Sequence, residues 1–373
     1  MEHTEALTRI ITDVVAPNAR AVDRDGVYPR EAITALAEAG ILGLASSADM
    51  GGGGQGLRAA ADVIEQLAGV CGSTAMVVLM HYAATAIIEA EGPDQARRAV
   101  AEGRSLSSLA FSEAGSRSHF WAPAGTAAKV GDGVRLEAKK SWVTSAGEAD
   151  TYVWSSLPLA APGPMTLWMV PSDAAGLSVS GGFDGLGLRG NASCPVTADG
   201  VIVAEDAMLG ADGGGLDLAL AAVLPWFLIL NGAFSLGLME AVTTETGVHL
   251  TTTRLEHLDQ TLIEQPLVRV DYARMRIQTD SIRSLLEDTL SALESGRGDA
   301  MLRVLEIKAA AAEAAIAVTD LAMKLCGGAA FRKDVGIERR FRDARAARVM
   351  APTTDALLDF VGRAIGGLPL LDA

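Results

Sequence analysis

The chain has 373 residues, more than a single hydrophobic core usually organises, so two or three packed units are expected. Lys and Arg number 31 against 46 Asp and Glu, and the net charge of -15 argues against a nucleic-acid surface, which needs clustered positive charge. Hydrophobic residues make up 49% of the chain and aromatic residues only 5%, which favours closely packed helices with small side chains at their contacts.

The amino-terminal part of the chain, up to about residue 107, has the periodicity of helices. Pro29 stands at the start of a helical pattern that stops at Gly40, and the turn-rich run "MGGGGQG" follows at 50–56. Residues 57–70 have the spacing of an amphipathic helix, whereas residues 74–90 are almost wholly apolar. We therefore predict two further helices, the second of them internal.

The pattern changes between about 108 and 210, where short alternating segments are separated by clusters of Gly, Pro and Asp. This texture is typical of a small antiparallel sheet or barrel. Beyond a linker at 210–217, long helical patterns return, and Gly327 and Gly328 close an alanine-rich one. The predicted domains are a helical domain at 1–107, a β domain at 108–212 and a helical domain at 213–373.

One segment, 218–239, is long and uncharged enough to imitate a membrane span. Pro225, Asn231 and Gly232 lie inside it, and it has no basic flank, so a helix buried on all sides is the better interpretation.

The three cysteines are odd in number, far apart and without metal-type spacing, which predicts free thiols in a reducing compartment and no zinc site. The first residues include acidic side chains and no basic region ahead of an apolar stretch, so no secretory signal is expected. These features predict a cytoplasmic protein.

Five short stretches, in this order along the chain, resemble the acyl-CoA dehydrogenase family. One motif alone would be weak, but the ordered set is specific for the fold, and the resemblance extends over nearly the whole chain. The five stretches are "LAFSEAGSRSHF" at 109–120, "KKSWVTSAGEADTYV" at 139–153, "GLGLRGNASCPV" at 185–196 followed by "VIVAEDAMLG" at 201–210, "KLCGGAAF" at 324–331, and "ERRFRDARAARVMAPTT" at 338–354.

The resemblance implies a mostly α member of the α+β class, with an N-terminal helical domain, a middle antiparallel β-barrel and a C-terminal four-helix bundle. Family members bind FAD between the strand domain and the bundle. They usually form tetramers built from dimers in which the neighbouring subunit completes the flavin site. A homodimer or homotetramer that binds FAD and an acyl-CoA or acyl-carrier thioester is therefore expected.

Several candidate cofactor contacts follow from the resemblance. The family places the flavin ring beside the Trp and the hydroxyl of the following Thr, which here are Trp142 and Thr144. The alternative is an ordinary strand aromatic and an ordinary strand hydroxyl. The same alignment predicts flavin contacts for Phe111 and Ser112.

The glycine pair Gly327 and Gly328 corresponds to a family motif at which a neighbouring backbone approaches the cofactor's diphosphate. A helix cap is the simpler interpretation, and both roles are compatible. Arg254 is the nearest counterpart of a family arginine that reaches the partner's flavin diphosphate, and Thr353 matches the family Thr after the catalytic base.

The family's usual catalytic base, a glutamate that removes the substrate α-proton, is absent. Its position falls on Ala351, and the second family location for this glutamate, about 225–232, has no carboxylate either. Two histidines are candidate replacements: His81 in an apolar helix, where the alternative is a satisfied core residue, and His119 on the loop that flanks the site. Asp355, one turn after Ala351, is a weaker candidate.

Other positions also depart from the family pattern. Ser118 matches a ligand-binding serine and is predicted, with Arg117, to contact the substrate. Arg117 and Lys324 bring positive charge that either meets an anionic ligand or is solvated at the surface. The departures are Ala114, Arg117, His119, Lys324 and Ala330.

Three functions are compatible with this pattern. The first is a flavoenzyme that oxidises CH–CH bonds of an acyl thioester with a displaced or missing base. The second is an oxidase or monooxygenase of the same fold, which does not need the glutamate. The third is a non-catalytic subunit of a hetero-oligomeric acyl-CoA dehydrogenase. The segment with Trp142 and Thr144 matches the family motif, whereas the departures cluster at the position of the catalytic base. We therefore predict the first function.

Overall fold

A computed structural model describes residues 2–116 and 119–371. In this part of the chain, helices come first, strands follow between residues 107 and 209, and long helices return. The helices are α1 (Glu2–Ile10), α2 (Ala16–Asp25), α3 (Arg30–Glu38), α4 (Leu57–Val70), α5 (Gly72–Glu91), α6 (Asp94–Ala101), α7 (Gly215–Leu218), α8 (Leu224–Thr252), α9 (Pro266–Glu294), α10 (Ala300–Cys326), α11 (Ile337–Val349) and α12 (Thr354–Ile365). This order confirms the predicted fold class.

Within residues 2–116 and 119–371, the strands form two four-stranded sheets, with the orders β1-β4-β5-β8 and β2-β3-β7-β6, and one short hairpin of β9 and β10. Neighbouring strands pair antiparallel, as predicted, except that β1 and β4 are parallel. A parallel pair requires a long crossover, and here β2 and β3 of the other sheet form it. The strands are β1 (Ser107–Ala110), β2 (Thr126–Val130), β3 (Gly133–Val143), β4 (Thr151–Ser156), β5 (Thr166–Pro171), β6 (Leu177–Val179), β7 (Cys194–Ala204), β8 (Met208–Leu209), β9 (Arg254–Leu255) and β10 (Gln260–Thr261).

The two large sheets share one apolar core. Alternate residues of each strand point inward, so that Val134 and Leu136 of β3 are buried with Trp154 of β4 and Trp168 of β5. This packing produces the sandwich on which the loops after β1 and β3 are mounted.

The chain divides into two compact units. The first comprises Met1–Val63, Met76–Asp184 and Arg189–Phe227, and the second comprises Ile64–Ala75, Gly185–Leu188 and Leu228–Ala373. The first unit therefore contains most of the helical residues that the sequence assigned to a separate N-terminal domain, except those of Ile64–Ala75. The boundary at 107/108 stays a prediction.

Small side chains allow close helix contacts in the second unit. A Cβ atom on Gly237 of α8 would lie 2.2 Å from the backbone oxygen of Glu65, and one on Gly232 would lie 2.6 Å from the Ile307 side chain of α10. Helix α10 also buries a series of alanines, including Ala311 and Ala315. The abundant Gly and Ala of the sequence therefore serve the tight helix packing that the composition predicts.

Among the described residues, two helices are long and apolar enough to cross a membrane by length and composition alone, Gly72–Glu91 and Gly215–Thr252. Most of each apolar window, 83% and 72% respectively, is buried inside the protein. This burial agrees with the prediction that 218–239 is a core helix.

Candidate functional site

The most unusual surface residue of the strand region is Trp142. Strand β3 loses register with β7 between Lys140 and Val143, and at this irregularity Trp142 has φ 59° and a side chain that is 71% exposed. A left-handed backbone is rare for a bulky residue, because its Cβ meets the following carbonyl group. A large flat ring is thus presented to solvent by a backbone conformation that its surroundings must maintain.

Two residues near Trp142 share this backbone conformation. Ser145 and Ala192 also have positive φ, 58° and 50°, and the two segments are joined by bonds from the Ser145 amide to the Asn191 carbonyl (2.9 Å) and from the Ala146 amide to the Ala192 carbonyl (3.1 Å). Residues in strained backbone conformations cluster at active sites and ligand-binding sites. This cluster therefore marks the segment as a candidate site.

Thr144 lies two residues after Trp142 and is buried. Its hydroxyl lies 3.2 Å from the Ser193 hydroxyl, and its carbonyl oxygen accepts a bond from the Ser108 hydroxyl at 2.7 Å. Two hydroxyls that share one hydrogen bond retain a second proton for another acceptor. This pair is therefore able to donate a further hydrogen bond. The contact of Thr144 with a cofactor, which the resemblance implies, stays a prediction.

The segment with Phe111 and Ser112 lies next to this strand. The Ser141 amide donates to the Ser112 carbonyl at 2.9 Å, and Phe111 is 8% exposed. The structure therefore brings together four predicted cofactor contacts, on two adjacent backbone segments. Their role in binding a cofactor stays a prediction.

A buried ion pair, which the sequence analysis did not identify as functional, lies between these two segments. The Lys140 ammonium group donates to the Glu113 carboxylate at 2.6 Å, and to the carbonyl and hydroxyl oxygens of Ser155 at 2.7 and 2.8 Å. Burial lowers the pKa of Lys140 to about 8, an effect that the Glu113 charge partly opposes. The sequence signal was limited to a lysine placed two residues before a tryptophan that matches a family motif.

The two candidate histidines differ sharply. His81 is fully buried, its Nδ1 accepts a bond from the Ser107 amide at 3.0 Å, and its Nε2 donates to the Leu42 carbonyl at 3.2 Å. Burial lowers the pKa of His81 to about 4, so the ring is neutral. With both ring nitrogens bonded to backbone, the geometry favours the satisfied core residue over a proton-transfer group.

His119 is exposed. Its Nδ1 donates to the Ser116 carbonyl at 3.0 Å, and its ring meets the Trp121 ring edge-on with centroids 4.9 Å apart. Nε2 is not used in this contact, so proton transfer by His119 stays a prediction. The predicted substrate contacts Arg117 and Ser118 lie outside the described residues.

The segment that would carry the catalytic base joins α11 to α12 in the second unit. Ala351 is half-buried, and Thr353 is the N-cap residue of α12, where its hydroxyl accepts a bond from the Ala356 amide at 3.4 Å. Asp355 is exposed on the first turn of α12. The Thr353 side chain therefore has a structural role that the sequence analysis did not predict, and its cofactor contact stays a prediction.

Lys308 of α10 fixes this segment from the inside of the bundle. The side chain is fully buried, and its ammonium group donates to the carbonyl oxygens of Ala347 (2.9 Å), Met350 (2.9 Å) and Pro352 (2.8 Å). Burial lowers the pKa of Lys308 to about 7. This role of Lys308 was not predicted, although a lysine directly before the run of four alanines in an apolar helix was a usable signal.

The remaining predicted contacts lie elsewhere in the second unit. Gly327 ends α10 with φ 52°, and a Cβ atom on Gly327 or Gly328 would meet no atom within 4 Å, so their backbone faces open space. Arg254 is about half exposed and pairs with Asp259. Lys324 donates to Asp271 at 2.7 Å, so its charge is already paired. A contact of Arg254 or of the glycine pair with a cofactor stays a prediction.

Comparison with known families identifies the chain. Three family models match it in succession: the N-terminal domain of acyl-CoA dehydrogenase at residues 2–103, the middle domain at 108–201 and the C-terminal domain at 213–366. These three domains, helical, sheet-rich and helical, follow one another in a defined class of flavoproteins. The chain is a member of the acyl-CoA dehydrogenase family.

Similar proteins support this membership. The short-chain specific acyl-CoA dehydrogenase of Homo sapiens mitochondria is 25% identical, over 91% of this chain and 83% of that protein. The probable acyl-CoA dehydrogenase FadE25 of Mycobacterium tuberculosis is 26% identical, over 98% and 95%. Among solved structures, butyryl-CoA dehydrogenase from Megasphaera elsdenii superposes with a TM-score of 0.90 at 21% identity, covering 97% of each chain. The prolyl acyl carrier protein oxidase AnaB superposes with a TM-score of 0.88 at 19% identity, covering 98% of each chain.

Family membership supports FAD as the cofactor, and the residues of the first unit fit it. The exposed Trp142 ring offers a flat apolar wall, and the adjacent Thr144 and Ser193 hydroxyls offer a hydrogen-bond donor. An isoalloxazine ring needs both features: a face to pack against and polar groups at its edge.

Proposed function

We propose that this chain is an FAD-dependent oxidoreductase that binds an acyl thioester, presented by CoA or by a carrier protein, and acts on its CH–CH bond with a displaced or missing base. The observation that carries the proposal is the exposed Trp142 ring on a left-handed backbone, next to the paired hydroxyls of Thr144 and Ser193. FAD, when bound, supplies the hydride acceptor.

The side chains of the first unit account for binding and orientation. Packing against Trp142 fixes the plane of a flat ring, and a donated hydrogen bond from the hydroxyl pair fixes its edge. Phe111, which is nearly buried, contributes apolar surface beside Ser112 and excludes water there. None of these groups removes a proton, so the chemistry of the substrate α-carbon needs a base from elsewhere.

The methyl side chain of Ala351 makes that step slow. General base catalysis contributes roughly 10²- to 10⁴-fold to a rate, so an alanine at the base position should reduce α,β-dehydrogenation by a factor in this range. The Ala351 segment is nevertheless held in place by Lys308, which donates to the carbonyl groups on both sides of it. A carboxylate introduced at residue 351 would therefore be attached to a fixed backbone.

The first experiment measures the visible spectrum of the purified protein after incubation with FAD and desalting. Wild-type protein, Ala351→Glu and the uncharged, equally large control Ala351→Gln are then mixed anaerobically with acyl-CoAs of increasing chain length. We expect flavin to be retained, and we expect bleaching to be faster in Ala351→Glu by about 10² or more, but not in Ala351→Gln. Retained flavin that no acyl-CoA bleaches in any variant would refute the proposed reaction.

A second candidate is an oxidase or monooxygenase of the same fold. The alanine at position 351 favours it, because these reactions do not need the glutamate, and the similar structure of AnaB is that of an oxidase. Oxygen consumption that depends on added reduced flavin, without acyl-CoA bleaching, would support a monooxygenase against the first candidate.

The third candidate is a non-catalytic subunit of a hetero-oligomer. The lack of a base at position 351 and the altered family motifs favour it. Such a chain should gain flavin and activity only when it is co-expressed with a related partner. In the absence of that dependence, we propose a cytoplasmic homodimer or homotetramer, which light scattering of the purified protein would test.

A further inference from the structure

The ion pair between Glu113 and Lys140 is unusually complete for a buried pair. Both side chains are at most 5% exposed. The Lys140 ammonium uses its three protons on Glu113 and on two oxygens of Ser155. The second Glu113 oxygen accepts bonds from the backbone amides of Ala124 (2.7 Å) and Gly125 (2.9 Å). The pair therefore ties together four separate parts of the strand region: the segment after β1, which carries Glu113, the loop before β2, β3 and β4.

Stability alone gives little reason for such a pair. Removing two charges from water costs about as much as their attraction returns, and apolar pairs of similar volume are often equally stable in such positions. The charges instead fix the geometry, because every proton of the ammonium group and both oxygens of the carboxylate have fixed partners. A buried, fully bonded pair therefore fixes relative positions more than it lowers free energy.

The pair lies directly behind the candidate flavin site. Glu113 follows Ser112, Lys140 precedes Ser141, and the Ser141 amide donates to the Ser112 carbonyl at 2.9 Å. Glu113 and Lys140 also face each other as an isolated antiparallel bridge. The backbone bond and the ion pair together clamp the two segments one residue before Trp142 turns outward.

We propose that Glu113 and Lys140 are positioning residues, whose ion pair holds Ser112 and the Trp142 ring in the geometry that receives the flavin. This inference rests on the proposed FAD-binding function. Neither side chain is assigned a contact with the cofactor, since both lie beneath the surface. The pair acts through the backbone of residues 112 and 141.

The test compares two double variants in which both charges of a pair are removed. Glu113→Gln with Lys140→Met removes the buried pair without leaving one charge uncompensated, and Gln keeps an oxygen for the loop amides. The matched control is Lys129→Met with Glu205→Gln, a pair at the surface of the same sheet whose side chains are 50% and 55% exposed. Single variants are avoided, because an unpaired buried charge would unfold the domain.

Two measurements are made on each protein. Hydrogen exchange of the peptides that cover residues 111–116 and 139–146 is followed without flavin, and the FAD dissociation constant is measured by calorimetry. Removal of the buried pair should lower the melting temperature by only about 5 °C or less, because two oxygens of Ser155 lose their donor. It should speed exchange in these peptides by about tenfold or more and weaken FAD binding by a similar factor, whereas the surface control changes neither.

Unchanged exchange and unchanged FAD affinity in the buried-pair variant would overturn the proposal. Faster exchange throughout the domain, with a much larger fall in the melting temperature, would also overturn it, because the pair would then be merely structural. If the wild-type protein binds no FAD, the proposed function fails, but local exchange without flavin still decides whether the pair positions the two segments.

Discussion

Replacement of Lys308 by methionine should change how the stability of the protein depends on pH. The wild-type ammonium group is fully buried, and it donates to three backbone carbonyl groups around Ala351. Burial lowers the pKa of Lys308 in the folded protein to about 7, whereas the same group in the unfolded chain titrates near its ordinary 10.5. Methionine has a similar length and no titratable group.

The sign of the effect follows from proton counts. Below pH 7 both states of the wild-type protein hold the Lys308 proton, and the buried charge makes its full unfavourable contribution. Between about pH 7 and 10.5 the unfolded state holds more protons than the folded state, so the free energy of unfolding rises with pH. The slope from this one group approaches about 1.4 kcal/mol per pH unit, which gives about 2 kcal/mol between pH 7 and 9.

The assay is denaturant unfolding of wild-type protein and Lys308→Met at several pH values from 6.5 to 9. The difference between the two free energies of unfolding should shift in favour of the wild type as pH rises, by about 2 kcal/mol, while other groups cancel. Lys324→Met is the control, since Lys324 lies on the same helix with an exposed side chain. Parallel pH curves for wild type and Lys308→Met would refute the assignment of a buried, easily deprotonated lysine.

Three further substitutions test other features. Trp142→Gly removes the backbone strain and the ring together, so without flavin the free energy of unfolding should stay the same or rise by up to about 1 kcal/mol, while FAD affinity falls. Unfolding curves and FAD titration measure the two effects. An unchanged FAD affinity would show that Trp142 does not belong to the site. Arg340→Met removes a guanidinium group that donates to the Gly69 carbonyl at 2.7 Å and to Glu245 at 2.8 Å. Because Glu245 loses its partner, the free energy of unfolding in denaturant should fall by about 2 kcal/mol. A change near zero would contradict this expectation. His81→Phe should lower the free energy of unfolding by a similar amount, because two backbone groups lose their hydrogen-bond partner, but it should leave the FAD dissociation constant unchanged. Weaker FAD binding at equal stability would instead support a functional histidine.

Local patterns predicted the helices well. The amphipathic segment at 57–70 coincides with α4, and the apolar segment at 74–90 lies within α5 (Gly72–Glu91). These predictions succeed because the period of 3.6 residues and the breaks at glycine are properties of the local chain. The alanine-rich helix also ends where Gly327 indicated.

Long-range relations were beyond local patterns. Glu113 and Lys140 are 27 positions apart, and Lys308 donates to carbonyl groups 39 to 44 positions away. A local sequence pattern around one residue therefore does not include its partner. The composition of a segment does not reveal whether a lysine is buried, because burial depends on which elements pack over it. The parallel pairing of β1 with β4 was missed for the same reason, since strand order is a tertiary property.

The exposure of Trp142 has a practical consequence for studies in solution. Of the five tryptophans, Trp154 and Trp168 are fully buried, Trp121 and Trp226 are half-buried, and Trp142 is largely exposed. A water-soluble collisional quencher such as acrylamide therefore reaches this indole more easily than the others. Protection from quenching reports occupancy of the ring face directly, in the unmodified protein and without any catalytic turnover. The chain thus contains its own optical probe at the candidate site.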